Sequence, residues 1–385
     1  MNYLTGLKCS LCGNFFSSQV VQTWCKECQS PLVAVYDLDL ARQQLDRDAI
    51  RARPKGMWRW TELLPIFDSE NRITLGEGDT PLLPQPRLAA ATGLKRLYAK
   101  DESLNPTASF KARGLAAAVS KARELGVKRL IIPTAGNAGG ALAAYAARAG
   151  LTALIIMPFD APRANIVECQ AAGAEVRLVT GLISDAGRLA GDLSRSEGWF
   201  DVSTFKEPYR LEGKKVIGYE LAEAFNWELP EVILYPTGGG TGLVGMWKAF
   251  DELDQLGWLK SSRKPRLISV QAAGCAPVVK AFEAGADICE LWQGATTIAT
   301  GIRVPKSFAD RMILVSLRES RGAAIAVTDL DIQQAQIEWG KLEGIFSSPE
   351  GAATLAALHK LTQNGLIDPD ERVVLFNTAS GLKYI

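Results

Sequence analysis

The sequence predicts an α/β protein: two doubly wound parallel-sheet domains, covered by helices and preceded by a small N-terminal zinc ribbon. Three observations carry this. From about residue 71 onward, short apolar strand-like runs alternate with small-residue helical stretches, the pattern of a parallel sheet with helices on both faces. Several runs end in glycine-rich turns, where ligands sit beyond the carboxyl ends of parallel strands. Ahead of them, Cys9, Cys12, Cys25 and Cys28 form two CxxC pairs, and each pair can grip one tetrahedral metal ion from a tight turn.

Four thiolates would close the coordination sphere, so the expected zinc is structural rather than catalytic. A redox pair or a metal-free ribbon is the alternative reading. Cys169, Cys275 and Cys289 lie among apolar and small residues and are expected to be core cysteines. Residues 37–70 are charged and aromatic, with a helix expected near 39–51 and stopped by Pro54. Beyond them, the expected strands are "RLYAKD", "RLIIPTAG", "TALIIMPF", "EVRLVTG", "EVILYPTGGG", "RLISVQA", "MILVSL" and "RVVLFNTAS". The expected helices include "GLAAAVSKARELG", "GGALAAYAARAG", "VIGYELAEAF" and "PEGAATLAALHKLTQNG".

Lys and Arg total 43 against 42 Asp and Glu, a formal charge of +1. No basic surplus argues for nucleic acid or an anionic membrane, which leaves a small molecule or another protein chain as partner. The longest apolar stretch, "GGALAAYAARAGLTALIIM", contains Arg148 and runs into Pro158, and reads as a buried helix followed by a buried strand, not a membrane span. The opening "MNYLTGLKCS" lacks the apolar core of an export signal, so a cytoplasmic protein with reduced thiols is expected.

The strongest local signal is "ILYPTGGGTGLVGMWKAF", where a buried strand runs through Gly238, Gly239, Gly240, Thr241 and Gly242 into a helix. Backbone N–H groups that converge at a helix N-terminus make a phosphate site. The spacing matches neither GxxxxGK[ST] nor GxGxxG, which disfavours ATP and dinucleotides. A second exit, "IIPTAGNAGG", places Asn137 at the turn, and a third, "VVLFNTASGLKYI", ends in Thr378. Lys111 follows the turn "NPTASF", beside Phe110, Ala112 and Arg113. Apolar or cationic neighbours lower the pKa of a lysine and fit it to form an imine. A phosphate cradle together with such a lysine points to a phosphorylated aldehyde cofactor. The lone histidine, His359, lies in a late helix and reads as structural.

At these residues the chain resembles the pyridoxal-phosphate enzymes of fold type II, the tryptophan-synthase β-like group, and within it the threonine synthase family. The motifs are the cysteine ribbon, "GEGDTPLL", "KDESLNPTASFKARG", "TAGNAGGALAAYAARAG", "YRLEGKK", "PTGGGTG" and "NTASGLKY", in the family's order. The resemblance implies that pyridoxal 5'-phosphate is held as an imine on Lys111, beside Phe110. Its phosphate would lie on Gly238 to Gly242 with Thr241, its phenolic oxygen on Asn137, and its ring nitrogen against Thr378. It further implies O-phospho-L-homoserine as substrate, a phosphorylated amino acid, converted with water to L-threonine and phosphate by γ-elimination and β-addition. Lys100, Ser109, Thr134, Arg210 and Lys214 would bind that substrate. The implied division is a ribbon over 1–36, a connector over 37–70, a large cofactor-binding domain over 71–119 and 211–385, and a small α/β domain over 120–210. A homodimer is also implied.

One position departs from the family pattern. Ala112 stands where threonine synthases carry an acidic residue after the lysine, and a non-acidic residue there is frequent in threonine and serine dehydratases. Two alternatives therefore stay open: a pyridoxal-phosphate ammonia-lyase acting on threonine or serine, and a cysteate synthase-like β-replacement enzyme.

Overall fold

The computed structural model describes residues 2–181 and 183–385. These form three sheets in two compact units, the first made of Met1–Asp79, Asn105–Ile217 and Asp251–Trp258, the second of Thr80–Leu104, Gly218–Phe250 and Leu259–Ile385.

In the first unit, β1 (Leu4–Cys9), β2 (Phe15–Phe16) and β3 (Leu32–Tyr36) form an antiparallel sheet in the order β2-β1-β3. The two CxxC pairs fold alike. Gly13 donates to the carbonyl of Cys9 and Gln29 to that of Cys25, and both Gly13 and Gln29 take the left-handed backbone that reverses the chain. The following segment is folded into the unit rather than strung across it. Asp46 caps a separate helix over Arg47–Arg51, dividing the single helix expected near 39–51, and the Trp60 ring lies 6.4 Å from that of Trp258, tilted by 41°.

The second sheet of this unit is all parallel: β6 (Arg129–Pro133), β7 (Thr152–Pro158), β8 (Glu175–Val179) and β9 (Phe200–Asp201), ordered β8-β7-β6-β9. Ile131, Leu154 and Ile156 from its strands pack with Ala186, Ala190, Leu193 and Trp199. The helix Lys111–Glu124 is buried over most of its length, as its alanine-rich sequence allows. It meets the helix that starts at Arg210 at very short range. A Cβ on Gly114 would lie 2.9 Å from both the carbonyl of Arg210 and Cε of Lys214, and a Cβ on Gly213 would collide with the carbonyl of Arg113.

The second unit is built on a six-stranded sheet ordered β12-β11-β10-β13-β5-β4. Its members are β4 (Leu82–Pro84), β5 (Arg96–Asp101), β10 (Val232–Pro236), β11 (Arg266–Ala272), β12 (Ala323–Val327) and β13 (Arg372–Asn377). Five strands are parallel, but the edge strand β4 runs antiparallel to β5, so the sheet is mixed rather than purely parallel. Leu234, Val270 and Leu375 join Trp339, Leu355 and Leu358 in its core.

One expected strand is a helix. "MILVSL" lies within the helix Asp310–Glu319, where Ile313, Leu314 and Leu317 are buried and Val315 is exposed, a helical rather than a strand period. The strand in that region is the alanine-rich "AAIAV" of β12, which pairs with β11.

Candidate active site

In the second unit the exits of β10 and β13 lie side by side, because these strands pair in parallel register from Val232↔Val373 to Leu234↔Leu375. After β10 the chain turns through Gly238, Gly239 and Gly240 into a helix that begins at Thr241. Three details shape that turn. A Cβ on Gly238 would lie 3.0 Å from the carbonyl of Gly301 and from Cα of Ile302, Gly240 has a φ of +78°, and Ser307 Oγ donates to the carbonyl of Gly239 at 3.1 Å. The backbone lies where no side chain fits, at the start of a 15-residue helix, which is what an anionic phosphate ester requires. Thr378, buried, follows β13 directly. That exit is fixed by Asn377, which donates to Asp101 Oδ1 at 2.8 Å and accepts from the backbone N–H of Ser348 at 3.3 Å.

In the first unit Lys111 is the first residue of its helix and its ammonium lies 4.6 Å from the centre of the Phe110 ring. The ammonium of Lys214 lies over the same ring, also at 4.6 Å. Burial, and then the positive charges of Lys111 and Arg210, hold Lys214 well below the ordinary lysine range. Arg210 is buried too. Its Nη1 donates to the carbonyl of Val202 at 2.7 Å, and Nε and Nη2 have no hydrogen-bond partner among the described residues. Burial lowers Arg210 to about 10, against the opposing charges of Glu207 and Asp201. Ser109, wholly buried, also has a hydroxyl without a partner among those residues.

Lys111, half-buried, and Lys214, buried, thus share the Phe110 ring, and the buried Arg210 begins the helix that carries Lys214. Polar atoms that burial leaves without partners cost stability unless a ligand completes them. An anion satisfies that demand.

Asn137 opens the helix Asn137–Ala149, and Thr134 precedes it with its hydroxyl accepting from the N–H of Gly136 at 3.1 Å. Lys100 is placed differently. It is a residue of β5, and its ammonium donates to the carbonyl of Thr80 at 2.6 Å and to Glu220 at 2.7 Å, both inside the second unit. Its charge is therefore matched by a carboxylate.

Other residues of the cluster's surroundings escaped the sequence reading. Glu207 accepts from the backbone N–H groups of Tyr209 and Arg210 at 2.9 and 2.8 Å, and burial pushes its carboxyl up to about 7 against those two bonds. Lys215 is wholly buried between Glu212 at 2.8 Å and Glu252 at 3.0 Å. Neither position carries a spacing signal, because each acts through a fold contact that the sequence does not display. His359 pairs with Glu338 at 2.7 Å on a partly exposed helix face.

The four ribbon cysteines converge, with all four sulfurs within 4.8 Å of one another and Cys9 and Cys28 at 3.3 Å. A tetrahedral ion with metal–sulfur bonds of about 2.3 Å sets its sulfurs roughly 3.8 Å apart, so the cluster is of the size to hold one.

The model for the family described as "Pyridoxal-phosphate dependent enzyme" matches residues 73–379. The threonine synthase of Methanocaldococcus jannaschii is 34% identical over 377 residues, covering 98% of this chain and 92% of the relative. That of Methanosarcina acetivorans is 35% identical with the same coverage, and that of Synechocystis is 36% identical over 80% of this chain and 81% of its own. Among solved structures, maize serine racemase superposes with a TM-score of 0.67 at 20% identity, covering 78% of this chain and 88% of that one. The processed form of threonine deaminase isoform 2 from Solanum lycopersicum gives 0.66 at 23%, covering 78% and 79%. At those identities the two structures establish the fold alone. The chain belongs to the pyridoxal-phosphate dependent enzymes and, within them, to the threonine synthase family. It is accordingly a pyridoxal-phosphate-dependent lyase.

Proposed function

We propose that this enzyme converts O-phospho-L-homoserine and water to L-threonine and inorganic phosphate, with Arg210, Lys214 and Ser109 receiving the substrate phosphate. The observation that carries the reading is that Arg210 and Lys214, both withdrawn from water, start one helix beside Lys111, and that the Arg210 guanidinium keeps Nε and Nη2 without a hydrogen-bond partner among the described residues. A lyase of free threonine has no use for such a cluster, since its substrate carries no second anion.

The residues that would hold the cofactor are Lys111 as the reactive amine, Asn137 toward the phenolic oxygen, Gly238 to Gly242 with Thr241 around the phosphate, and Thr378 at the ring nitrogen. When bound, pyridoxal phosphate supplies an electron sink for the carbon next to the substrate amine. Lys111 then takes the proton from Cα and moves one from Cβ. Arg210 and Lys214 stabilise charge on the departing γ-phosphate. Thr134 and Asn137, at the start of their helix, orient the substrate, and burial of Phe110 keeps bulk water from the lysine while one water adds at Cβ. Lys100, paired with Glu220, holds the exit of β5 instead of taking the substrate phosphate.

The four-cysteine ribbon holds a structural zinc ion, and the enzyme works as a cytoplasmic homodimer. Metal analysis and light scattering of the purified protein test these two points.

The deciding experiment follows phosphate, threonine and 2-oxobutanoate from O-phospho-L-homoserine and, separately, from L-threonine. Phosphate released in step with threonine, and lost in Lys111→Ala, is the expected result. Oxobutanoate from threonine with no phosphate release from the phosphorylated substrate would replace this reading with the ammonia-lyase.

A further inference from the structure

The start of the helix that presents Arg210 and Lys214 is also contacted by the cysteine ribbon, and these contacts lie within the first unit. Tyr36, the last residue of β3, sets its ring 3.8 Å from the ammonium of Lys215. That ammonium is already locked between Glu212 and Glu252, so the ring closes a buried charged group one residue after Lys214. At the start of the same helix, the hydroxyl of Tyr209 donates to the carbonyl of Ser18 at 3.4 Å, one residue before Arg210. Ser18 is buried in the ribbon segment between β2 and Cys25. Two contacts thus bracket the anion-binding residues, one on each side in sequence, and both come from a module that carries none of the chemistry.

We propose that the ribbon positions the anion site: Tyr36 and Tyr209 are positioning residues that fix how far Arg210 and Lys214 reach toward a bound phosphate. The inference rests on the anion-binding role given above to Arg210 and Lys214. A cation over an aromatic ring is worth about 0.5 to 2 kcal/mol, small against the fold but enough to shift the affinity of a site whose groups must be aligned.

The test uses the intact holoenzyme and inorganic phosphate as the probe, with affinity measured by calorimetry and steady-state kinetics measured on O-phospho-L-homoserine. Tyr36→Leu is expected to weaken phosphate binding and raise KM by the same factor, about fivefold, while kcat and the cofactor absorbance stay as in the wild type. Tyr36→Phe keeps the ring and is expected to restore both values. Tyr209→Phe, which loses only the bond to Ser18, is expected to weaken phosphate by about twofold to threefold.

Unchanged phosphate affinity in Tyr36→Leu and Tyr209→Phe overturns the proposal, as does a Tyr36→Phe enzyme that behaves like the leucine variant. A fall in kcat with loss of cofactor absorbance at constant phosphate affinity also overturns it, because that is general loosening. Arg210→Ala separates the two levels. If it weakens phosphate while the tyrosine variants do not, the positioning role alone fails. If it too leaves phosphate binding unchanged, the anion site itself is misassigned and the positioning role falls with it.

Discussion

Two adjacent lysines on one helix are both buried and chemically opposite. Lys215 has a carboxylate on either side, Glu212 and Glu252, and an aromatic ring above it. Lys214 shares the Phe110 ring with Lys111 and feels the positive charge of Arg210, so its ammonium is disfavoured where that of its neighbour is neutralised. Lys100 in the second unit belongs with Lys215, since Glu220 answers its charge. Burial alone does not separate a structural lysine from a functional one. The sign of the charges around it is what differs: carboxylates flank Lys215, whereas the charges that shift Lys214 are those of Lys111 and Arg210.

Substitutions can break this contrast. The largest effect is expected at Lys111, where Lys111→Ala should abolish turnover by about three orders of magnitude or more and remove the cofactor's imine absorbance, with the circular dichroism of the fold retained. Next, Lys215→Met leaves Glu212 and Glu252 buried without their cation, and denaturant unfolding should show a loss of about 3 to 5 kcal/mol. Lys214→Met does the reverse. Removing a buried ammonium from a cationic setting should leave stability equal or higher by about 1 kcal/mol, while kcat/KM for O-phospho-L-homoserine falls about a hundredfold. A Lys214→Met protein as unstable as Lys215→Met would erase the distinction.

The smallest expected effect concerns Glu207. Burial raises its folded pKa from 4.5 to about 7, so over that window the native protein holds a proton that the unfolded chain has released. The contribution of this group to stability is then complete below about 4.5 and is lost as the pH rises through about 7. Glu207→Gln cannot ionise, so the difference in stability between wild type and variant should change across that window and be flat below it. A pH-independent difference would mean that the carboxyl has the same pKa in the folded and the unfolded protein.

The elements proposed to hold the cofactor were the most legible part of the sequence. Gly238 to Thr241 and Lys111 announce themselves through residue types that few other positions need, and the structure puts each at a strand exit or a helix start. The two CxxC pairs were equally plain, since the turns that follow them repeat the same backbone reversal. What escaped was set by partners distant in sequence. Nothing in "RLYAKD" shows that Lys100 will meet Glu220, 120 residues later. "MILVSL" was misread because a short apolar run does not reveal its period until its burial is known. β12 was missed because "AAIAV" owes its strand conformation to pairing with β11 rather than to its own alanines.

The crossing of the two helices at Gly114 and Gly213 has a consequence for how this enzyme can change. The separation between Lys111 and Lys214 is governed by two hydrogen atoms standing where other residues carry a methyl group. Adding one at Gly213 would drive a wedge between the helices at the carbonyl of Arg113. The reach of the Lys111 amine, to which we assign the catalytic role, would be altered without any charge, ring or hydrogen bond being touched. Appetite for a phosphorylated substrate can in this way be retuned by bulk alone, at a position that an inspection of polar side chains would pass over.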